Sequence, residues 1–396
     1  MNLVTVALLV LAGTVSGDFF AEVDLKQHME TFFKDRYPIE DNRPTREAAR
    51  EYIKNKFSYY GLEVHEQKFN TTINTDPKGF GSNTVTVEGT NIIGIKKAIT
   101  QQADAVVVVG ADYDSNGLSD PLFYNGAGVA ALLEVAHVYS FNTDWSGRFA
   151  DNFTTIFVAF DINTKHYKGS SGRPGGYYFV NKWLWNYIDH NVHYFGGAVI
   201  LDSIMNVQYE PNTQTLTQNF HNLFPDTYQR VIESGGKGDF LAMVSLKGSE
   251  DSTKLSDQFS GAYYKDRRGQ RYRLENMVMI NGGSLDPMIE LIVECDNIHF
   301  WAFKDDRNNS IALPALLLTD TATFRSNPKE GCSTCRPVDL LTEERLEFVN
   351  ATVRATTRFL LDRQATLLPP KESNAVSSLP SILMTALMMC LVRLNK

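Results

Sequence analysis

The sequence predicts an α/β protein, a three-layer α/β/α sandwich around a mixed, mostly parallel central sheet, and three observations carry that prediction. Near-continuous apolar runs such as Val106-Val107-Val108-Val109 mark strands covered on both faces. Stretches with helical spacing separate several of these runs, and strands alternating with helices build a sheet between helix layers. The chain has 396 residues and 43% hydrophobic content, enough to bury a large core. No low-complexity linker, repeat or long charge block divides its middle, so one continuous domain is expected over 18–364.

In chain order, helical patterns fall at 19–33 and 45–60, the second with Arg46, Glu47 and Lys54 on its polar side. Strand-like runs follow at 63–69, 91–95, 105–109, 154–160, 197–201, 289–293 and 313–319. Helices are expected at 126–139, at 175–188 and, closing the domain, at 342–361. Trp183-Leu184-Trp185 and Tyr187 read as packing residues of the middle helix rather than a ligand box.

The net charge is -8 and no basic block is present, which argues against nucleic acid as a partner. An apolar run at 3–12 ends near Gly13-Thr14-Val15-Ser16-Gly17, as in a cleaved signal peptide over 1–17. A polar stretch at 365–381 precedes a hydrophobic tail at 382–396. Its apolar core, 382–392, would reach only about 16 Å as a helix, too short for a hydrocarbon layer of about 30 Å. A lipid-anchor signal fits, with Ser373, Asn374 or Ser377 as attachment candidates among small residues; a short single span or a tail with no membrane role are the alternatives. Four sequons, at Asn70, Asn152, Asn308 and Asn350, agree with a secreted or cell-surface glycoprotein. Outside the tail the cysteines are Cys295, Cys332 and Cys335. Cys332 and Cys335 could close on each other, or one of them could bridge to Cys295.

Ligand sites in such sheets gather beyond the carboxyl ends of strands. There the sequence places Asp112-Tyr113-Asp114-Ser115, then Tyr124-Asn125-Gly126-Ala127-Gly128, Asp161-Ile162-Asn163-Thr164, Asp202, Cys295-Asp296-Asn297-Ile298-His299 and Asp320-Thr321-Ala322-Thr323-Phe324-Arg325. No G-x-S-x-G elbow occurs, and Gly126-Ala127-Gly128 lacks the third glycine and acidic partner of a dinucleotide cradle.

Together with the strand Asn91-Ile92-Ile93-Gly94, these segments resemble, in order over 33–361, the two-zinc exopeptidases of the aminopeptidase Y and glutamate carboxypeptidase type. The resemblance implies the zinc-peptidase fold, and it also implies a set of losses. Asp112 stands where the family has a zinc-binding His, and Tyr124 where it has the bridging Asp. Asn163 and Thr164 stand where it has a Glu-Glu pair supplying the catalytic base and a ligand. No His follows His299, although the family has a last ligand after the Phe-Arg segment. Asp202 is the family ligand position that survives.

Two divalent ions need a bridging carboxylate and several further ligands, and hydrolysis needs a base to take a proton from water. Asn163 cannot be that base. The sequence therefore predicts a divergent, non-catalytic relative, a pseudopeptidase without a zinc cofactor, that binds a peptide or protein. Two alternatives stand beside it: a metallo-aminopeptidase with a rebuilt single-metal site using His166 or His299, and a matrix structural protein. Asp112, Asp114 and Asp202 could also gather a residual calcium or magnesium site.

Overall fold

The computed structural model describes residues 23–75, 83–98, 104–115, 120–145, 149–163, 170–188, 193–247, 250–265, 271–280, 295–305, 307–327, 332 and 335–367. The expected signal peptide, the tail with Ser373, Asn374 and Ser377, Thr164, His166 and the strand expected at 289–293 lie outside them.

Two helices lead the chain, α1 (Val23–Thr31) and α2 (Arg43–Tyr59). Pro44 opens α2 at a position where its missing N–H costs nothing. Gly61, at φ 78, closes it in a Schellman turn: Leu62 N–H donates to Phe57 O and Gly61 N–H to Ser58 O. Ala49, Ile53 and Phe57, four residues apart, form its buried stripe.

Eight strands form one sheet: β1 (Glu63–Asn74), β2 (Thr84–Lys96), β3 (Asp104–Asp112), β4 (Thr154–Phe160), β5 (His193–Leu201), β6 (Phe240–Lys247), β7 (Arg273–Ile280) and β8 (Ala315–Thr319). Their spatial order is β1-β2-β4-β3-β5-β8-β6-β7. The central four, β4-β3-β5-β8, are mutually parallel, while β2 joins β4, and β6 joins β8, antiparallel. This is the mixed α/β sheet that the sequence predicts. The alternation of β3 explains its apolar run: Val107, Val109 and Ala111 enter one core and Val106 and Val108 the other.

The first core lies under α1, α2, α3 (Ala127–Ser140), α5 (Glu250–Lys265) and α6 (Glu343–Gln364). The second lies under α4 (Pro225–Glu233) and the helical segment from Gly175 to Tyr187. That segment is not the single helix expected. It widens into a π turn over Phe179–Leu184, and stacking of Trp183 on Phe179 and Tyr187 fills it. Four of these elements were missed from sequence, β6, β7, α4 and α5; polar residues interrupt the apolar pattern of β7, α4 and α5, whereas β6 opens on the unbroken apolar run from Phe240 to Val244. The folded body also runs past residue 364, since Ala365–Leu367 pairs with Phe149–Asp151.

Cys332 and Cys335 form a disulfide with a Cα–Cα distance of 5.5 Å, so neither bridges to Cys295, which is buried. Asn70 and Asn308 are exposed, and Asn152 and Asn350 are half-buried. No described helix is long and apolar enough to cross a membrane.

Candidate functional site at the strand ends

Because the central four strands are parallel, their carboxyl ends share one edge, and each ends on an aspartate. Asp112 closes β3, while Asp161, Asp202 and Asp320 directly follow β4, β5 and β8. All four are buried. Four carboxylates cannot stay charged in a low-dielectric edge without partners, and the chain supplies these partners itself.

Asn125 is the hub for two of them. Its Nδ2 donates to Asp112 Oδ1 at 3.0 Å and to Leu201 O at 2.8 Å, while its Oδ1 accepts from Gly128 N–H at 3.1 Å and Ser203 N–H at 2.9 Å. A Cβ on Gly128 would overlap that amide, which is why glycine stands there. Ser203 Oγ in turn donates to Asp202 Oδ1 at 3.0 Å. The peptide bond between Tyr124 and Asn125 is cis. Asp114 accepts the Asn163 N–H at 3.1–3.2 Å, so Asn163 meets this edge through its backbone.

Asp161 is tied most firmly. Arg50 Nη2 lies 2.6 Å and Arg46 Nη2 3.1 Å from its Oδ2, and Thr90 N–H donates at 2.8 Å. Burial pushes its carboxyl up, but the two guanidinium charges and these hydrogen bonds prevail and hold it below the usual carboxylate range. Arg50 Nε also donates to the Tyr113 hydroxyl, which donates to Thr90 O. Arg46 is thus not a polar-face residue of α2 but a buried one. A cavity of 490 Å³ lined by Arg43, Arg46, Arg50, Glu47 and Glu88 opens beside this pair.

Arg36 is fully buried beside the acidic edge. It donates to the carbonyls of Phe32, Lys34, Tyr113 and Pro121, and its N–H donates to Ser115 Oγ. Burial lowers its guanidinium to about 10, opposed by Asp114, Asp35, Asp112 and Asp120. It stays charged at neutral pH and offsets part of the field of those carboxylates. At the far side, Asp320 accepts from Met205, Asn206 and Ala322 N–H, and burial pushes its carboxyl up to about 6 against the pull of Arg325. Arg325 is itself buried and stacks on Phe240 at 4.4 Å.

Three residues that follow these strands hold left-handed backbone without being glycine: Ile162 at φ 59, Ser203 at φ 54 and Thr321 at φ 71. For the β-branched Ile162 and Thr321 this conformation costs of order 1–3 kcal/mol each. Such strain persists only where the surrounding bonds enforce it, and here it re-aims each chain at the turn off the sheet.

The described residues at the strand ends do not fit a two-zinc centre. Tyr124 offers no bridging carboxylate, Asn163 no base, and Asp112 is engaged by the Asn125 amide. Among the described residues one group of three His, Cys, Asp or Glu side chains has ligand atoms close enough to share an ion, and it lies elsewhere. Asp112, Asp114 and Asp202 do not form the expected cation cluster in that sense. His299 packs edge-on against Tyr177 with centroids 6.2 Å apart. Sequence reasoning placed Asp161 and Asp320 at the strand ends but gave them no role, and it missed Arg36, Arg50 and the inward position of Arg46. The signal for Asp161 and Asp320 was present, an aspartate directly after an apolar strand; none was visible for Arg36, in the turn after α1.

Solved structures share this architecture. An aminopeptidase from Aneurinibacillus sp. strain AM-1 superposes with a TM-score of 0.54 at 12% identity, over 88% of this chain and 95% of that one. A zinc aminopeptidase from Bacillus subtilis gives 0.53 at 12% identity, over 87% and 95%. A glutaminyl cyclase from Porphyromonas gingivalis gives 0.53 at 13% identity, over 87% and 99%. No protein-family model and no curated protein sequence matches the chain. The chain therefore has the fold of the bacterial zinc aminopeptidases and glutaminyl cyclases.

Proposed function

We propose that this protein is a non-catalytic, zinc-aminopeptidase-like glycoprotein, secreted or held at the outer face of a cell membrane by its C-terminal tail, that acts by binding a peptide or protein. One observation carries the reading: at the strand ends the chain's own amides and guanidiniums take the carboxylates, with Asn125 on Asp112 and Arg46 and Arg50 on Asp161. Carboxylates held by the chain's own donors need no metal to stay buried, and Asn163, at the base position, cannot take a proton from water. A partner's amino group would find Asp202 at the same edge.

Aminopeptide turnover by the purified, folded chain, measured over a broad substrate panel with its zinc content, tests this. No turnover is expected. Zinc-dependent turnover that disappears in Asp202→Asn would establish a rebuilt metallo-exopeptidase instead.

A further inference from the structure

Helix α3 is buried along its whole length, and His137 is its one residue with substantial exposure. Glu134, three residues earlier on the same face, is 2% exposed, and neither of its carboxylate oxygens has a hydrogen-bond partner. A buried carboxylate left in that state costs several kcal/mol, so it calls for a cation. Its polar neighbours stand just beyond bonding range. His137 Nδ1, also without a hydrogen bond, is 3.8 Å from Glu134 Oε1, and Asp24 Oδ2 on α1 is 3.6 Å from His137 Nδ1. His28 Nε2 is 3.6 Å from Glu134 Oε2.

Separations of this size are long for hydrogen bonds. They are close to the edge of a coordination tetrahedron: ligands about 2.0–2.2 Å from zinc lie about 3.3–3.6 Å from one another. The ligand atoms of Asp24, Glu134 and His137 all fall within 4.8 Å of one another, so small side-chain rotations close the site. The surroundings hold it in place. His137 stacks on Tyr60 with centroids 4.7 Å apart and planes 13° from parallel. His28, which faces the second Glu134 oxygen, is hydrogen-bonded to the hydroxyls of Tyr52 at 2.7 Å and Tyr60 at 3.2 Å.

We propose that Asp24, Glu134 and His137 form a zinc site that joins α1 to α3, with water in the fourth position. Two carboxylates and an imidazole balance a divalent charge, and the nitrogen ligand favours zinc over calcium or magnesium. The partly exposed His137 gives the ion its way in. His137 lies ten residues into α3, about 15 Å along the helix from its start at the strand ends, so the site is separate from the acidic edge. Its role is to pin the N-terminal helix to the core, and it is independent of whether the strand ends do chemistry.

The test is zinc chloride titrated into the full-length chain after chelator treatment, read as metal stoichiometry and as the shift in Tm. One zinc per chain and a raised Tm are expected, with affinity falling at least tenfold in His137→Gln and Asp24→Asn and unchanged in Asp202→Asn. No binding by the wild-type chain, or binding that survives both His137→Gln and Asp24→Asn, overturns the proposal. So does binding that is lost in Asp202→Asn, which would place the ion in the cleft. Should the variants fail to fold, cobalt substitution of the wild-type chain decides: intense tetrahedral visible bands support the site and weak octahedral bands refute it. Turnover that depends on Asp202 would instead defeat the non-catalytic reading and leave this site standing.

Discussion

Replacing Asp161 by Asn keeps the shape of the side chain and removes the charge on which Arg46 and Arg50 converge. Breaking a buried pair by deleting one partner costs about 3–5 kcal/mol, because the charge left behind has lost its solvent and its counter-ion. The Arg46 and Arg50 side chains retain 9% and 17% exposure, so some hydration returns and the lower end, about 3 kcal/mol, is expected. With an unfolding entropy near 2.1 cal/mol/K per residue, that loss lowers the Tm of a domain this large by roughly 4 °C. Urea unfolding followed by tryptophan fluorescence measures the difference directly. Its pH dependence is a sharper check. The folded Asp161 holds its proton less tightly than the unfolded residue does, so its contribution is complete above the ordinary carboxylate range and is lost as pH falls through its depressed folded value. The gap between wild type and Asp161→Asn should therefore close in acid. A gap below 1 kcal/mol at pH 7, or one that stays constant into acid, would refute the assignment of the pair as a stabilising element.

Asn125→Ala strips four hydrogen bonds from the hub and leaves Leu201 O, Gly128 N–H, Ser203 N–H and Asp112 without it; about 3 kcal/mol is expected, read from the urea midpoint. Gly128→Ala should cost about 1–3 kcal/mol through the forced shift of the same amide, and in the double variant with Asn125→Ala that cost should largely vanish. Asp320 behaves oppositely to Asp161. Its carboxyl is raised to about 6, so its contribution is complete below the unfolded value near 4 and is lost as pH rises through 6; Asp320→Asn should remove that decline between pH 4.5 and 7.5. Phe157→Ala, in the centre of β4 between Phe57 and Tyr139, should lose about 3–5 kcal/mol in thermal or urea unfolding.

How much was legible in the sequence depends on where the information sits. The strands β3 and β4 and the helix α3 were plain because burial on all sides writes itself as runs dominated by apolar residues, as in Val106 to Val109, Ile156 to Phe160 and Val129 to Leu133. β7 was not, because an edge strand such as Arg273–Ile280 alternates with Glu275 and Asn276 and so imitates a surface loop. The positions that matter at the strand ends were visible as departures from a known pattern, Tyr124 and Asn163 above all. The contacts that the strand-end aspartates make were not visible. Asp161 meets Arg46 and Arg50 across more than a hundred residues, and Arg36 meets Tyr113 across seventy-seven, separations that no local periodicity records. Arg46 in particular stands three residues before Ala49 and seven before Ile53, so helical spacing already puts it on the buried stripe; its charge alone suggested a solvent face, and Asp161 supplies the counter-charge that lets it stay inside.

The short pairing of Ala365–Leu367 with Phe149–Asp151 fixes where on the body the last described residues lie. Phe149–Asp151 lies just ahead of β4, at the amino end of the parallel strands, and the seven residues of β4 carry the chain about 20 Å from there to the acidic edge. Residue 367 thus lies at the amino end of the parallel strands, opposite the edge that carries Asp112, Asp161, Asp202 and Asp320. The tether proposed for the residues beyond Leu367 would therefore join the body at the end of the sheet away from the four aspartates, leaving their edge clear of the attachment.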